Sequence, residues 1–419
     1  FTTYYVCHQS MKEVPSQLLR PASPKLGKST FIERIGFIWN HLSFTWKVTV
    51  RNLLRYKRRL IMTVIGVGGC SALMVIGFGI RDSINQMVKL QFTDITHYDG
   101  SAKINSEISS EDKNALIETV NTDKGVASNL TAVSYTGIVT FNDEDETVLT
   151  QVFENNAEIE QLYTLRTRKG HQPIPLTDEG IIISEKLSED LNIHVGDAVT
   201  IESKKGVRKK VQVSGICEMY IQHYAFISKP LYEKLFDTTL EDDTMFITCS
   251  TDDSTQLQKM LANDSHIDSI SFYDVTLENF NQMVSTLNYI IIVLIVSSMA
   301  LAFVVLGNLM NINISERQRE IATLKVLGFR KKEVQSYVYK ENNVLTLLGS
   351  IAGLPLGIAI HHWIMRELQF SYVMYGVDVM PLSLFLSVIL TVAFGILVNL
   401  LMRKKLSTIE MVESLKSVE

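Results

Sequence analysis

The sequence predicts an α-helical membrane protein, with four transmembrane helices and an α+β domain inserted between the first and second. Two observations predict it. Four windows without a charged residue, 60–80, 287–310, 344–365 and 380–402, are each long enough to cross about 30 Å of hydrocarbon at ~1.5 Å per helical residue. The segment 81–286 between the first two windows holds 17 Lys+Arg against 34 Asp+Glu, in a chain whose formal net charge is only −5. The remainder is therefore strongly basic, and its basic residues gather at the ends of the windows.

Arg51, Arg55, Lys57, Arg58 and Arg59 precede the first window. Arg317, Arg319, Lys325, Arg330, Lys331 and Lys332 fill the connector between the second and third, and Arg403, Lys404 and Lys405 follow the fourth. The positive-inside rule makes all three clusters cytoplasmic. The expected arrangement is a multi-pass protein of the cell membrane with both chain ends inside, and with 81–286 and the sparsely charged loop 367–379 outside.

In chain order, residues 1–43 read as a cytoplasmic linker from a preceding segment: an apolar, aromatic start gives way to a basic stretch with prolines. Within it, "ASPKLGKST" resembles the end of a phosphate-binding loop. Ala22 stands where the first glycine is required, and no apolar strand precedes it to aim amides at phosphates. Residues 44–59 form an amphipathic pre-membrane helix, with Trp46, Val50, Leu53 and Leu54 on one face and Lys47, Arg51, Arg55 and Arg58 on another. Such a helix suits the anionic inner leaflet.

The first span, 60–80, continues as "IRDSINQMVKLQF", and "TLENFNQMVSTLNY" leads into the second, 287–314, so the acidic domain 81–286 stands on two helical stalks. Its interior carries short β-rich runs, "YTGIVTF", "TVLTQVF", "GIIIS", "DAVTIES" and "RKKVQVSGI", with helical "SEKLSEDLNI" and "KPLYEKLF" among them. Cys217 and Cys249 share this domain, but two cysteines do not make a disulfide framework.

The third span, 344–366, places Gly349, Gly353 and Gly357 four residues apart on one helical face. Small residues at that spacing let helix backbones approach closely in lipid; a glycine-rich composition common to transmembrane helices is the alternative reading. Pro355 between them should kink or loosen the helix. His361 and His362 close the span near Met365 and Glu367; adjacent histidines diverge by about 100°, unlike the i, i+4 pair of a zinc helix, and an interfacial placement is expected. No metal site and no catalytic residue is assigned. The acidic surface argues against nucleic acid.

The connector 315–343 carries the most internally consistent pattern. Ser315 followed by Gln318 reads as a capping box; Ile321, Leu324 and Leu327 make a narrow apolar stripe; Gly328 supplies a left-handed stop. Glu316, Arg317, Arg319, Glu320 and Lys325 surround that stripe. The design suits docking in a groove while the charges fix register. Resting on anionic lipid is the competing use, which Glu316 and Glu320 fit poorly.

"SERQREIATLKVLGFRKKEV", the "ENN" that follows and the glycine-rich span together resemble the FtsX-like permease module of MacB-type ABC transporters. "VRNLLRYKRR" resembles that family's pre-span helix, "GIIISEKLSEDLNIHVGDAVTI" its extracytoplasmic core and "STIEMVESLKS" its tail, so the likeness runs from about residue 44 to the end. The resemblance implies that Glu316, Arg317, Arg319, Glu320, Ile321, Leu324, Lys325, Leu327 and Gly328 form the coupling helix that meets a cytoplasmic ABC ATPase dimer. ATP and Mg would bind that partner, and this chain would hold no cofactor. The linker is similar to the joint in permeases with two modules in one polypeptide. The missing module would be in the same polypeptide or supplied by a homodimer, and membrane lipids would surround both.

The implied function is a permease subunit, not an enzyme, that couples ATP hydrolysis on the partner to motion of the extracytoplasmic domain for export, extraction or mechanotransmission. The near absence of ionisable residues from the spans agrees with work done outside the membrane. The alternative from another class is a membrane sensor or receptor that detects an extracellular ligand such as an antimicrobial peptide.

Overall fold

The structure, a computed structural model, describes residues 40, 44–55, 57–250, 254–316, 326, 328, 330–368, 372–376 and 378–407. Helix α1 (Phe44–Arg55) buries Thr49 and Leu53 and leaves Trp46 exposed. The apolar stretch of α2 (Lys57–Lys89) begins just after Arg58 and Arg59, and its 33 residues span about 50 Å at 1.5 Å per residue. It widens into a single π-helical turn, Leu90–Ile95, that buries Gln91 and Ile95. Such turns are concentrated at functional places in helices.

The inserted domain then runs β1 (Gly100–Ile104), α3 (Ser110–Thr122), β2 (Val126–Phe141), β3 (Glu144–Phe153), α4 (Asn156–Leu162), β4 (Ile181–Ser184), α5 (Glu185–Leu191), β5 (Ala198–Glu202), β6 (Arg208–Cys217), β7 (Tyr224–Ser228), α6 (Lys229–Phe236), β8 (Thr244–Cys249), α7 (Thr255–Ala262) and β9 (Ile267–Phe272). Two layouts share these strands. β1-α3-β2 and β8-α7-β9 make a split β-α-β pair, with an antiparallel sheet in the order β2-β8-β1-β9. That order is the ferredoxin-like one. Ala102, Ile104, Met245 and Ile247 pack with Leu116 and Val120 of α3 and Leu257 and Leu261 of α7. The Ser109 hydroxyl caps α3 by accepting from the Asp112 amide at 3.1 Å.

The second layout is a closed ring. β2 pairs with β3, β3 with β7, β7 with β4, β4 with β6, β6 with β5, and β5 returns to β2. The ring leaves no free edge, and its interior holds Val139, Val148, Ile181, Ile183, Val199, Ile201, Val213 and Ile227. β4 reads as an unbroken apolar run because both its faces are covered: Ile181 and Ile183 point into the ring while Ile182 joins the cluster at the domain's root. The β2–β3 hairpin turns on Asn142 and Asp143, both with positive φ, 51° and 65°, the geometry that matches strand twist in a two-residue loop.

The chain returns through α8 (Tyr273–Glu316), an uninterrupted 44-residue helix about 66 Å long. α9 (Lys331–Glu367) and α10 (Pro381–Ser407) complete the bundle. Among the described residues, α2, α8, α9 and α10 are the helices long and apolar enough to cross a membrane. In α2, 56% of the apolar window is buried, against 28% in α8 and in α10, so the first span occupies the centre. α9 continues unbroken through Pro355, whose residue lies on an exposed face. Cys217 is fully buried and Cys249 partly so, and neither is disulfide-bonded.

Candidate functional site

At the end of the bundle away from the inserted domain, α8 runs on to Glu316, and Ser315 sits in its last turn, where its hydroxyl donates to the Asn311 carbonyl at 3.0 Å. Ser315 is therefore no cap, contrary to the capping-box expectation: the second span keeps its helical register past the residue that was to open a new helix. Gly328 has φ +88° with open space around its Cα, a left-handed geometry that glycine adopts without strain. Arg317, Arg319, Glu320, Ile321, Leu324, Lys325 and Leu327 lie outside the described residues, as does the "ASPKLGKST" segment. The third span restarts at Arg330, whose amide donates to the Glu333 carboxylate at 2.8 Å, an acid well placed at a helix N-terminus.

Within the bundle, the three spaced glycines of α9 lie against α2. A Cβ on Gly349 would come within 2.7 Å of Val67, and one on Gly357 within 2.7 Å of Val75; one on Gly353 would strike the Gly68 carbonyl. The backbones thus approach as small-residue seams allow. Ser71 adds a hydrogen bond to the Ser350 carbonyl at 3.0 Å, and Ser298 of α8 donates to the Cys70 carbonyl at 2.8 Å. Near the end away from the inserted domain, Asn342 donates to Asn399 at 2.7 Å, and Asn399 donates to Asn343 at 2.6 Å, tying α9 to α10.

The outer end departs from the expected interfacial histidine pair. His361 is fully buried, and its ring shares a 3.2 Å hydrogen bond with Ser83 of α2. Asp82, next along α2, accepts the Met380 amide at 3.0 Å, just before α10 begins. Among the described residues no group of three or more His, Cys, Asp or Glu side chains could hold a metal.

Beyond the spans lies a junction with no sequence forecast. The segment joining α9 to α10 buries Val373, Met374 and Tyr375 in the cluster at the domain's root, together with Ile84 and Met87 of α2, Tyr98, Tyr163 and Met365. Val373 forms a β-bridge to Ile221. The Gln222 amide donates to the Tyr372 carbonyl at 2.7 Å, and the Met374 amide to the Tyr220 carbonyl at 2.9 Å. Gln222 meets this geometry with φ +66°. The same β6–β7 loop is also held from the first span: the Gln91 side chain, in the π-turn, accepts the Tyr220 amide at 2.9 Å and donates to Met219 Sδ at 3.7 Å.

The loop is anchored into the domain as firmly as it is gripped from below. The Tyr220 hydroxyl donates to Glu218 at 2.6 Å, and Arg166 Nε donates to the same carboxylate at 2.7 Å. Burial, with the Glu218 charge beside it, pushes the Tyr220 phenol far above its ordinary range, so it stays a donor. Tyr98 and Tyr163 share a hydrogen bond of 2.8 Å, and burial raises both phenols. Burial likewise pushes the Cys217 thiol up, which removes its nucleophilic form. The one residue-level hint of this junction in the sequence is "SYVMYGV", an apolar and aromatic run in what would otherwise be an exposed loop.

The model of the MacB-like periplasmic core domain matches residues 60–264, and that of the FtsX-like permease C-terminal region matches residues 292–411. The chain belongs to the FtsX/MacB-like ABC transporter permeases. An uncharacterised ABC transporter permease of Methanocaldococcus jannaschii is 27% identical over 184 residues, covering 41% of this chain and 44% of that protein. The uncharacterised permease YknZ of Bacillus subtilis is 26% identical over 190 residues, covering 42% of this chain and 47% of its own length. This FtsX-like permease thus matches less than half the length of either curated relative. Among solved structures, the extracellular domain of the YknZ transporter from Gram-positive bacteria aligns at 14% identity and a TM-score of 0.27, covering 42% of this chain and 98% of that one. The periplasmic region of MacB from Actinobacillus actinomycetemcomitans aligns at 13% and 0.27, covering 47% and 97%.

Proposed function

We propose that this permease subunit turns ATP hydrolysis on a separate cytoplasmic ABC ATPase dimer into movement of its extracytoplasmic domain, serving export, extraction or mechanotransmission. The observation that carries the reading is the double grip on the β6–β7 loop: Gln91 reaches it from the first span, and Tyr372 to Met374 reach it from the connection between the third and fourth. A shift entering at the connector 315–343 passes along α9, a continuous helix from Lys331 to Glu367, and arrives at a segment hydrogen-bonded to the domain. Packed helices transmit such shifts because their interfaces switch between discrete arrangements.

In this reading Glu316 to Gly328 meet the ATPase inside the cell, both chain ends are cytoplasmic and residues 81–286 face outward. ATP and Mg reside on the partner; the chain performs no covalent chemistry and carries no cofactor. A second permease module, in the same polypeptide or a second copy, completes the transporter among membrane lipids.

The test is recovery of an ATPase from mild detergent by pulling on this chain. Reversing the charges at Arg319 and Glu320 together should abolish that recovery while leaving the chain in the membrane. Undiminished recovery overturns the coupling assignment, as does ATP turnover by the purified chain alone.

A further inference from the structure

The sheet β2-β8-β1-β9 has two unequal faces. Ala102, Met245 and Ile247 point toward α3 and α7. The alternate residues Ser101, Lys103, Thr244, Phe246, Ser269 and Ser271 form one wall of a cavity of about 610 Å³ on the other side. The opposite wall comes from the π-turn, the ring and the start of α8, through Phe92, Gln151, Lys204, Tyr224 and Tyr273. A volume of that size suits a small organic ligand.

The cavity is polarised along β1. Register places Ser101 beside Phe246 and Ser271, and Lys103 beside Thr244 and Ser269. Tyr98 marks the near end, its ring 4.9 Å from Phe246 and 4.9 Å from Tyr273. From Gly100, where β1 begins beside the aromatic end, to Lys103 at the cationic end is about 10 Å at ~3.4 Å per strand residue. At the cationic end, Lys103 and Lys204 share a single carboxylate, Asp243, at 2.7 Å and 2.6 Å. One positive charge is left over. Asp268, the other acid whose field reaches Lys103, is outside the lining and accepts from Asn105 at 2.9 Å. Between the two ends, Gln151 is 1% exposed, and its Oε1 has no hydrogen-bond partner. A buried acceptor left unpaired carries a desolvation cost, which a donor on a ligand relieves.

Lys103 also donates to the Ser134 carbonyl and the Thr244 hydroxyl, which with Asp243 fills its three donors, so Lys204 is the lysine left to meet a ligand. We propose that this cavity binds a single-chain amphiphile, with its anionic head at Lys204, a hydrogen-bond donor at Gln151 and its apolar tail against Phe92, Tyr98 and Tyr273. This ligand site goes beyond the mechanical reading and does not depend on it. The aromatic end lies where both stalks enter the domain, so the tail is oriented toward the membrane side of the chamber.

The probe is N-dodecanoylglycine with a photoreactive diazirine in its chain, added to the full chain in phosphatidylcholine nanodiscs and mapped by peptide mass spectrometry. Adducts are expected on peptides carrying Tyr98, Phe246 or Tyr273. The neutral N-dodecanoylglycinamide analogue should label them about tenfold less, the scale of one charge-assisted hydrogen bond. Lys204→Met leaves Asp243 paired with Lys103 and removes the surplus charge, so it should bring the charged and neutral probes level. Ser271→Trp fills the chamber and should abolish both; if that variant does not fold, the wild-type comparison and Lys204→Met still decide. Competition by dodecyl phosphate or by dodecanoate separates a phosphate head from a carboxylate, and competition by either supports the site. Equal labelling of the wild type by the charged and neutral probes, or adducts confined to the membrane spans, overturns it.

Discussion

Two of the joints that hold the third span and the segment after it are built on opposite principles. Inside the bundle, Gly349, Gly353 and Gly357 let α9 lie backbone to backbone on α2. Outside it, Tyr372 to Met374 hold the β6–β7 loop by backbone hydrogen bonds and by burying Val373, Met374 and Tyr375. The first joint depends on shape: its fit is steric, with few directional bonds beyond Ser71 to Ser350. The second is directional, since each amide has one carbonyl to meet. The proposed movement would need both, a close-packed face on the first span and a directional hold on the domain.

The largest expected effect comes from breaking the first joint. Gly353→Leu drives a side chain into the Gly68 carbonyl, and overpacking against backbone should cost about 3 kcal/mol or more. Thermal unfolding in detergent checks it, with Gly69→Ala as the control. Nothing lies within 4 Å of a Cβ at Gly69, so that change should be neutral or stabilise by up to about 1 kcal/mol. A tolerated Gly353→Leu would mean that the close approach contributes nothing.

Breaking the second joint should be smaller and more local. Met374→Ala empties a site that is 1% exposed, at a cost of about 2–4 kcal/mol. Hydrogen exchange should accelerate at the Gln222 amide while α2 and α9 keep their protection. Unfolding that spreads into the spans would show that the two joints are not separable.

The smallest effect sharpens the contrast by touching neither joint. Burial alone would raise the Asp243 carboxyl, but the hydrogen bonds from Lys103 and Lys204 outweigh it and hold the group below its ordinary 3.8. A carboxylate with a depressed folded-state value lends stability that is complete above the unfolded value and is lost as pH falls through the folded one. The domain should therefore lose stability below about pH 4, with a shallower acid slope in Asp243→Asn. Circular dichroism at the β-sheet band follows this, and an unchanged slope would remove Asp243 from the acid response.

The fold class was legible in the sequence: charge-free windows, an acidic insert and alternating β runs suffice for four helices and an α+β domain. The order of the strands was not. β2 pairs with β3, β5 and β8, and pairings over such separations leave no local pattern. The spacing of Gly349, Gly353 and Gly357 could be read, but not that α2 is what they meet, because a face shows only that it wants a close neighbour. The grip on Tyr220 and Gln222 was hidden for the same reason, since its two halves lie about 150 residues apart. The burial of His361 against Ser83 could not be read either, because the serine lies on another helix 278 residues away.

One strand, β2, gives its first half to the sheet under α3 and α7 and its second half to the closed ring. The two lobes of the outer domain are thus joined by one unbroken strand, whose partner changes from β8 to β3 between Ala132 and Val133. A chain break between Ala132 and Val133 would leave each lobe its own pairings and remove the strand that the two have in common.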